Sequence, residues 1–209
     1  MSGDKIGLSD VLKHVRATVL IGLSTLPLAF TEPIVREMAS KVERPIIFPL
    51  SNPTDRSEAR PEDLLRWTEG RALAATGSPY APVRFGERTI PISQCNNVYI
   101  FPAVGLAVIA SRPFADSVGT RRITDGMMLA AARALAEHSP ALKDSSAPLL
   151  PALRDIRNVA VEIAFAVARE AARSSLAPGS DSSSADSLRS RILASQWFPS
   201  YPTYLPAFG

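Results

Sequence analysis

The sequence predicts an α/β fold in which a doubly wound parallel sheet is followed by several C-terminal helices. Three short, continuously apolar runs, 18–23, 45–50 and 72–76, are typical of parallel strands covered on both faces. Helical patterns separate these runs, and an alternation of strand and helix favours parallel pairing through right-handed crossovers. Beyond residue 96 the pattern is mainly helical.

Local signals begin and end the helices of the first half. Ser9 is a candidate cap for the first helix and Thr31 for the second. Pro61 opens a third helix, whose first turn carries acids at the positive end of the helix dipole, and Gly70 ends it. A fourth, shorter strand is predicted over 89–92.

The second half is predicted as a series of helices. Asn96 or Asn97 caps a helix that runs toward Ser111 with a kink at Pro102. Thr124 caps the next one. The two later helices are predicted over 125–137 and 155–173.

Composition divides the chain into three segments. We predict one domain over 1–174, a flexible Ser-rich linker over 175–187, and a helix with an aromatic tail over 188–209. The tail contains Trp, Phe and Tyr over 197–204, and so much aromatic surface is expected to pack against other parts of a protein.

Composition also excludes several classes of function. The formal net charge is only +3 and the Lys and Arg residues are scattered, which does not indicate a nucleic-acid surface. The longest apolar stretch, 98–110, is shorter than the roughly 20 residues that span a bilayer. A single cysteine, Cys95, cannot form an internal disulfide, and the start of the chain has no signal-peptide pattern. We therefore expect a cytoplasmic protein that binds neither nucleic acid nor membrane.

Polar residues follow the predicted strands at 51–53 and 76–78, and the pair Asn96-Asn97 precedes the long helix. The carboxyl ends of parallel strands share one edge of a sheet, which is the usual ligand site in this fold class. The Asn52 carboxamide offers both a donor and an acceptor without burying a charge. The alternative interpretation is an Asx turn before Pro53, in which Asn52 serves only its own backbone.

The polar residues that follow the other predicted strands also allow two interpretations. One of Asn96 and Asn97 caps a helix, and the other is free to bind a carboxylate at the helix N-terminus. Gly77, beside Ser78, is either a turn glycine or a point where a ligand approaches closely. Cys95 is interpreted as a small buried hydrophobe.

The sequence offers no catalytic residue and no metal site. The acids Glu58, Glu62 and Asp63 have no His or Cys companions at metal-ligand spacing, so we assign them no chemistry. The two histidines, His14 and His138, lie in predicted helices and are assigned none either.

Taken together, these segments resemble the C-terminal half of the malic enzymes. The similarity covers nearly the whole chain in the runs 18–24, 30–38, 44–54, 68–80, 94–102 and 122–136. It implies the second half of a Rossmann-like sheet. It also implies oxidative decarboxylation of (S)-malate to pyruvate and CO2, with reduction of NAD or NADP.

The resemblance assigns roles to the polar residues at the strand ends. It implies that Asn52 and Asn96 contact malate, with Asn97 as neighbour. It places the cofactor beside Gly22, Ser24, Ser51, Asn52, Gly77 and Ser78.

Two departures qualify the resemblance. The family commonly has glycine where this chain has Thr25 and Leu28, and bulkier side chains there would crowd the loop near a dinucleotide. The Tyr and Lys of the family's active site, its acidic ligands for Mg or Mn, and its glycine-rich turn have no counterpart in this sequence. We therefore expect this chain to be inactive by itself.

The strand over 18–23 has a physical consequence. Without the first half of the sheet it forms an apolar edge, which is a template for pairing with another strand. We expect a homo-oligomer, a complex with a partner subunit, or poor solubility. The alternative function is a non-catalytic interaction module derived from a malic enzyme half-domain.

Overall fold

The computed structural model describes residues 6–111, 122–174 and 185–201. The chain divides into two compact units. We call the first, made of Met1–Asn97 and Ala136–Leu153, the sheet unit, and the second, made of Val98–Leu135 and Arg154–Gly209, the helical unit. The predicted domain 1–174 contains parts of both units.

A four-stranded parallel sheet lies in the sheet unit, which confirms the predicted α/β class. Its strand order is β1-β2-β3-β6, and every neighbouring pair is parallel. A separate antiparallel hairpin pairs β4 with β5. The strands are β1 (Val19–Gly22), β2 (Ile46–Pro49), β3 (Leu73–Thr76), β4 (Val83–Phe85), β5 (Arg88–Ile90) and β6 (Ser93–Gln94).

The prediction that residues 89–92 form the fourth strand of the main sheet is wrong. Those residues begin in β5, whose antiparallel partner is β4, and the fourth strand of the main sheet is β6. Because β6 has only two residues, hydrophobic alternation cannot show it in a sequence. Pairing of Ala75 with Ser93 defines it instead.

Three helices accompany the sheet: α1 (Leu8–His14), α2 (Glu32–Lys41) and α3 (Pro61–Trp67). Helix α1 contacts α2, and α2 contacts α3. Val35, Met38 and Leu64 from these helices pack with Ile47 of β2 in the buried core of the unit. Fully burying one such side chain contributes about 1.5–3 kcal/mol.

The ends of these helices follow the predictions in part. Gly7, not Ser9, begins α1, and its N–H donates to the Asp10 carboxylate at 3.1 Å. Thr31 lies at the predicted start of α2, but its side chain makes no capping hydrogen bond. Thr68 is the C-cap of α3, and Gly70, with a φ of +74°, closes the helix end by donating its N–H to the Leu65 carbonyl at 2.7 Å.

The helical unit contains α4 (Phe101–Ala110), most of α5 (Asp125–Glu137), α6 (Ile156–Arg173) and α7 (Ala185–Ser195). Helix α6 packs on α4 and α7. Val159, Ile163 and Val167, which recur at helical spacing on one face of α6, are buried. The Thr124 hydroxyl accepts the Met127 N–H at 3.3 Å, so Thr124 caps α5 as predicted.

The start of α4 differs from the prediction. Asn97–Tyr99 form a 3₁₀ turn, and Ile100 is the residue before the first helical one, so neither Asn96 nor Asn97 caps α4. Pro102 lies in the first turn, where its missing N–H removes no helical hydrogen bond. The expected kink at Pro102 therefore has no physical cause.

The C-terminal segment differs from the prediction in one respect. Helix α7 begins at Ala185, so the predicted linker over 175–187 extends too far; residues 175–184 lie outside the described residues. Trp197 is 74% exposed and Tyr201 is 94% exposed, so the expected packing of the tail against other parts of a protein stays a prediction. Phe198 lies 4.6 Å below the guanidinium of Arg157. Residues 202–204 lie outside the described residues.

Strand β1 lies at the edge of the four-stranded sheet, as expected. Val19 and Ile21 on it are half exposed. Across the three described ranges, no helix combines the length and apolar character needed to cross a membrane.

Candidate functional site

The four parallel strands of the sheet unit end at a common edge, which we call the carboxyl edge. The segments that follow β1, β2, β3 and β6 are 23–25, 50–52, 77–78 and 95–97. Every residue that the sequence suggests for a ligand site lies in, or directly beside, these segments. The sheet therefore brings the predicted site residues together.

Asn52 and Ser78 contact each other directly across this edge. The Ser78 hydroxyl donates to Asn52 Oδ1 at 2.6 Å. Within the described residues the Asn52 amide nitrogen makes no hydrogen bond, and the side chain does not bond its own backbone as an Asx turn would. Asn52 is exposed and Ser78 is buried, so the serine orients the amide and leaves its N–H groups directed outward.

Gly77 allows β2 and β3 to approach closely. A Cβ atom at Gly77 would lie 2.1 Å from the Leu50 carbonyl oxygen and 3.0 Å from Asn52 Oδ1. Its φ is not positive, so Gly77 does not need the left-handed conformation that a turn glycine supplies, and the close approach of a ligand stays a prediction. The Gln94 side chain donates to the Gly77 carbonyl at 3.1 Å and connects β6 to the same edge.

Asn96 and Asn97 follow β6 at the carboxyl edge, and both are exposed. β6 neighbours β3, and β3 neighbours β2. Asn96 is therefore two strand spacings, about 10 Å, from the end that carries Asn52. The two amides therefore lie at the same edge with one strand end between them.

Cys95 connects the same segment to the sheet. Its N–H donates to the Thr76 carbonyl at 2.8 Å. Burial raises the pKa of the Cys95 thiol, which lowers the fraction of reactive thiolate at neutral pH. Cys95 is suited to packing and not to nucleophilic chemistry.

Glu58 is the residue that sequence reasoning missed. Its side chain is 0% exposed, and it accepts hydrogen bonds from the Ser51 hydroxyl at 2.6 Å and the Ser24 hydroxyl at 2.9 Å. Burial alone raises the pKa of this carboxyl, but the hydrogen bonds from Ser51 and Ser24 outweigh burial and lower the pKa below its usual value. Glu58 is therefore a buried, ionised carboxylate behind the edge.

Gly22 is explained by Glu58. A Cβ atom at Gly22 would lie 2.6 Å from the carboxyl carbon of Glu58. Ser51 is buried and its hydroxyl already serves Glu58. Gly22 and Ser51 therefore shape the edge from within, whereas Ser24 is exposed on it.

The loop after β1 adopts a conformation that favours glycine. Thr25 has a φ of +56° and Leu28 a φ of +55°. The left-handed region is strained for any residue with a Cβ atom, and most of all for a β-branched one. These are the two positions at which the resemblance implies glycine.

The described residues contain no group of three or more His, Cys, Asp or Glu side chains that could hold a metal ion. His14 is exposed and its ring bonds the Asp10 carbonyl within α1. The chemistry of the carboxyl edge is thus that of neutral amides and hydroxyls, with one buried carboxylate behind them.

Comparison with known proteins relates this chain to the malic enzymes. The family model "Malic enzyme, NAD binding domain" matches residues 1–172. The NAD-dependent malic enzyme of Edwardsiella ictaluri is 50% identical over 199 residues, which cover 95% of this chain and 34% of that protein. That of Sodalis glossinidius is 54% identical over 171 residues, 82% of this chain and 29% of that protein.

Solved structures agree with this. The malic enzyme from Pyrococcus horikoshii aligns with a TM-score of 0.65 at 25% identity, over 90% of this chain and 37% of that one. The Entamoeba histolytica malic enzyme aligns with a TM-score of 0.68 at 25% identity, over 88% of this chain and 33% of that one.

The chain spans about a third of the length of the curated relatives it matches. Since the family model matches well over half of the chain, and its relatives share both its sequence and its fold, this chain belongs to the malic enzyme family and corresponds to part of its NAD-binding domain.

Proposed function

We propose that this chain supplies the second half of the cofactor domain of a malic enzyme. The complete enzyme converts (S)-malate to pyruvate and CO2 and reduces NAD. NAD is proposed over NADP because the relatives' names specify NAD. The observation that carries the proposal is the carboxyl edge, where Ser78 orients the Asn52 amide and leaves its N–H groups directed outward.

Asn52 and Asn96 are proposed to orient malate. Amide N–H groups donate to carboxylates without adding a charge, so they hold the substrate without fixing it too tightly. Asn97, beside Asn96 and equally exposed, is proposed as a further contact.

The proposed cofactor lies near the loop after β1. In doubly wound sheets the ligand crevice lies where the strand order reverses. The described strands run in one direction from β1 to β6, so a reversal would lie beyond β1. Exposed Ser24 at the end of β1 is close to such a crevice. The nicotinamide supplies the hydride acceptor, and this chain supplies one side of the crevice that binds it.

The roles of the other cofactor residues are proposed to be indirect. The absent side chains of Gly22 and Gly77 make room for Glu58 and for the Leu50 backbone, respectively. The Ser51 hydroxyl is likewise occupied. A divalent Mg or Mn ion is proposed for the complete enzyme, with ligands other than the described residues of this chain.

We propose that the chain alone is inert and that its β1 edge pairs with a strand of the rest of the enzyme or with a second copy. The exposed Val19 and Ile21 side chains support pairing at this edge. We propose a cytoplasmic location.

The test combines size-exclusion light scattering with an assay of malate-dependent NADH production, with and without a supplied N-terminal half. Activity in the stable complex supports the proposal, and activity of the chain alone contradicts its inertness. In the active complex, Asn52→Asp should raise KM for malate at least tenfold, because a carboxylate repels the substrate. The exposed Asn158→Asp is the matched control.

The second candidate function is a non-catalytic interaction module. The left-handed conformations of Thr25 and Leu28 favour it, because they introduce bulk and strain where a cofactor loop needs neither. A soluble chain that ignores the added half and remains inert would support this candidate.

A further inference from the structure

Three consecutive backbone N–H groups of the loop after β1 all donate to one hydrogen-bond network around the buried Glu58 carboxylate. The Ser24 N–H donates to Glu58 Oε1 at 2.8 Å, the Thr25 N–H to Ser51 Oγ at 2.9 Å, and the Leu26 N–H to Ser24 Oγ at 3.2 Å. Because all three amides are already bonded within this network, the loop has little freedom.

The Glu58 carboxylate sets the direction of both hydroxyls in this network. A hydroxyl has one proton, and both Ser51 Oγ and Ser24 Oγ donate theirs to Glu58 Oε1. Their lone pairs are then available to accept from the loop, as Thr25 and Leu26 require. Without the carboxylate, no acceptor would hold either hydroxyl in this orientation.

The loop also needs such a support. Thr25 has a φ of +56°, a conformation that persists only when its surroundings determine it strongly. Bonds to charged acceptors are about twice as strong as neutral ones and suit this purpose. The side chain of Glu58 is completely buried, so the acceptor of these bonds is shielded from water.

We propose that Glu58 is a positioning residue, which fixes the loop over 23–28 in the shape that faces the cofactor. In its relation to the cofactor, this inference rests on the proposed function. One consequence is specific: the amides of residues 24–26 donate into the protein, so this loop presents no N–H groups from them to a phosphate of the ligand.

Amide hydrogen exchange of the full chain, followed by NMR, tests the network directly. Glu58→Gln keeps the size of the side chain but removes its charge and one acceptor oxygen. We expect the amides of Ser24, Thr25 and Leu26 to exchange roughly tenfold faster or more. The amides of Leu28 and Phe30 donate to backbone carbonyls and should change less. The exposed Glu62→Gln is the matched control.

A second variant protects the test against a failure to fold. Ser24→Ala removes one hydroxyl at an exposed position. It should accelerate exchange of the Leu26 amide and leave the Thr25 amide, which donates to Ser51, nearly unchanged. Unchanged protection of residues 24–26 in folded Glu58→Gln, or of Leu26 in Ser24→Ala, overturns the inference.

Calorimetric titration with NAD⁺ of the complex formed with the supplied N-terminal half separates this inference from the proposed function. We expect the affinity to fall several-fold in Glu58→Gln and to stay unchanged in Glu62→Gln. If the unsubstituted complex does not bind NAD⁺, the cofactor proposal fails, while the exchange measurement on the chain still decides the role of Glu58 in the loop. If NAD⁺ binds equally well to Glu58→Gln, the positioning role is wrong.

Discussion

Replacing Gly77 with alanine tests the geometry of the carboxyl edge most severely. The new methyl carbon would lie 2.1 Å from the Leu50 carbonyl oxygen, about 1.3 Å short of an ordinary 3.4 Å contact. Both groups belong to the backbone of neighbouring strands, so no side chain can rotate away. The ends of β2 and β3 would have to move apart, although hydrogen bonds join them there.

The energetic cost follows from what such a separation breaks. The Gly77 N–H donates to the Pro49 carbonyl at 3.3 Å, and the Ser78 hydroxyl donates to Asn52 at 2.6 Å. Losing either hydrogen bond costs about 1 kcal/mol. Overpacking adds about 1–3 kcal/mol. We expect Gly77→Ala to lower the free energy of unfolding of the sheet unit by about 2–4 kcal/mol.

Urea unfolding measures this change. The fluorescence of Trp67 reports on the sheet unit, because Trp67 packs against its core. Trp197, 74% exposed, should respond little. Gly105→Ala is the matched control: Gly105 is an exposed helical position with open space around it, so alanine should stabilise α4 by about 0.5–1 kcal/mol, measured by circular dichroism. If Gly77→Ala unfolds at the same urea concentration as the original chain, the reasoning is refuted.

Three further predictions concern the same edge. Thr25→Gly should raise the free energy of unfolding by about 0.5–1 kcal/mol, because glycine adopts the φ of +56° found at Thr25 without strain. The control Thr31→Gly, at a φ of −75°, should lower the free energy of unfolding. A loss of stability in Thr25→Gly would contradict the proposed backbone strain. The pKa of Glu58 is lower in the folded than in the unfolded state, so ionised Glu58 stabilises the fold above its ordinary pKa of about 4.3. This stabilisation is lost as the pH falls through the pKa of Glu58 in the folded state. Urea titrations at several pH values should show less acid sensitivity in a Glu58→Gln variant, and equal sensitivity would count against the buried carboxylate. Ser78→Ala should cost about 1 kcal/mol and free the Asn52 side chain, which a loss of its amide NMR dispersion would reveal; an unaltered Asn52 signal would contradict the contact.

Much of the architecture could be predicted because it depends on patterns that are local in the sequence. The apolar runs that became β1, β2 and β3 are long enough to be recognised, and the predicted start of α2 at Thr31 holds. Strand β6 could not be predicted. A strand of two residues has no pattern of its own and exists through its pairing with β3.

The candidate site shows the same division. The sequence indicated that Asn52, Gly77 and Ser78 belong to strand ends, and parallel pairing then placed them at one edge. It offered no signal for Glu58, since an acid in a polar loop usually lies in solvent. Only the fold buries this carboxylate against Ser24, which is 34 residues away in the chain.

The sequence by itself determined the fold class, the family resemblance and the residues at the strand ends, because hydrophobic periodicity and motif spacing are properties of the chain. The tertiary structure decided what those residues do for one another. Asn52 is oriented by Ser78, Gly77 is required by the Leu50 backbone, and Gly22 by Glu58. These relations depend on distances of about 3 Å between segments that are remote in sequence, and such distances are set only when the sheet has formed.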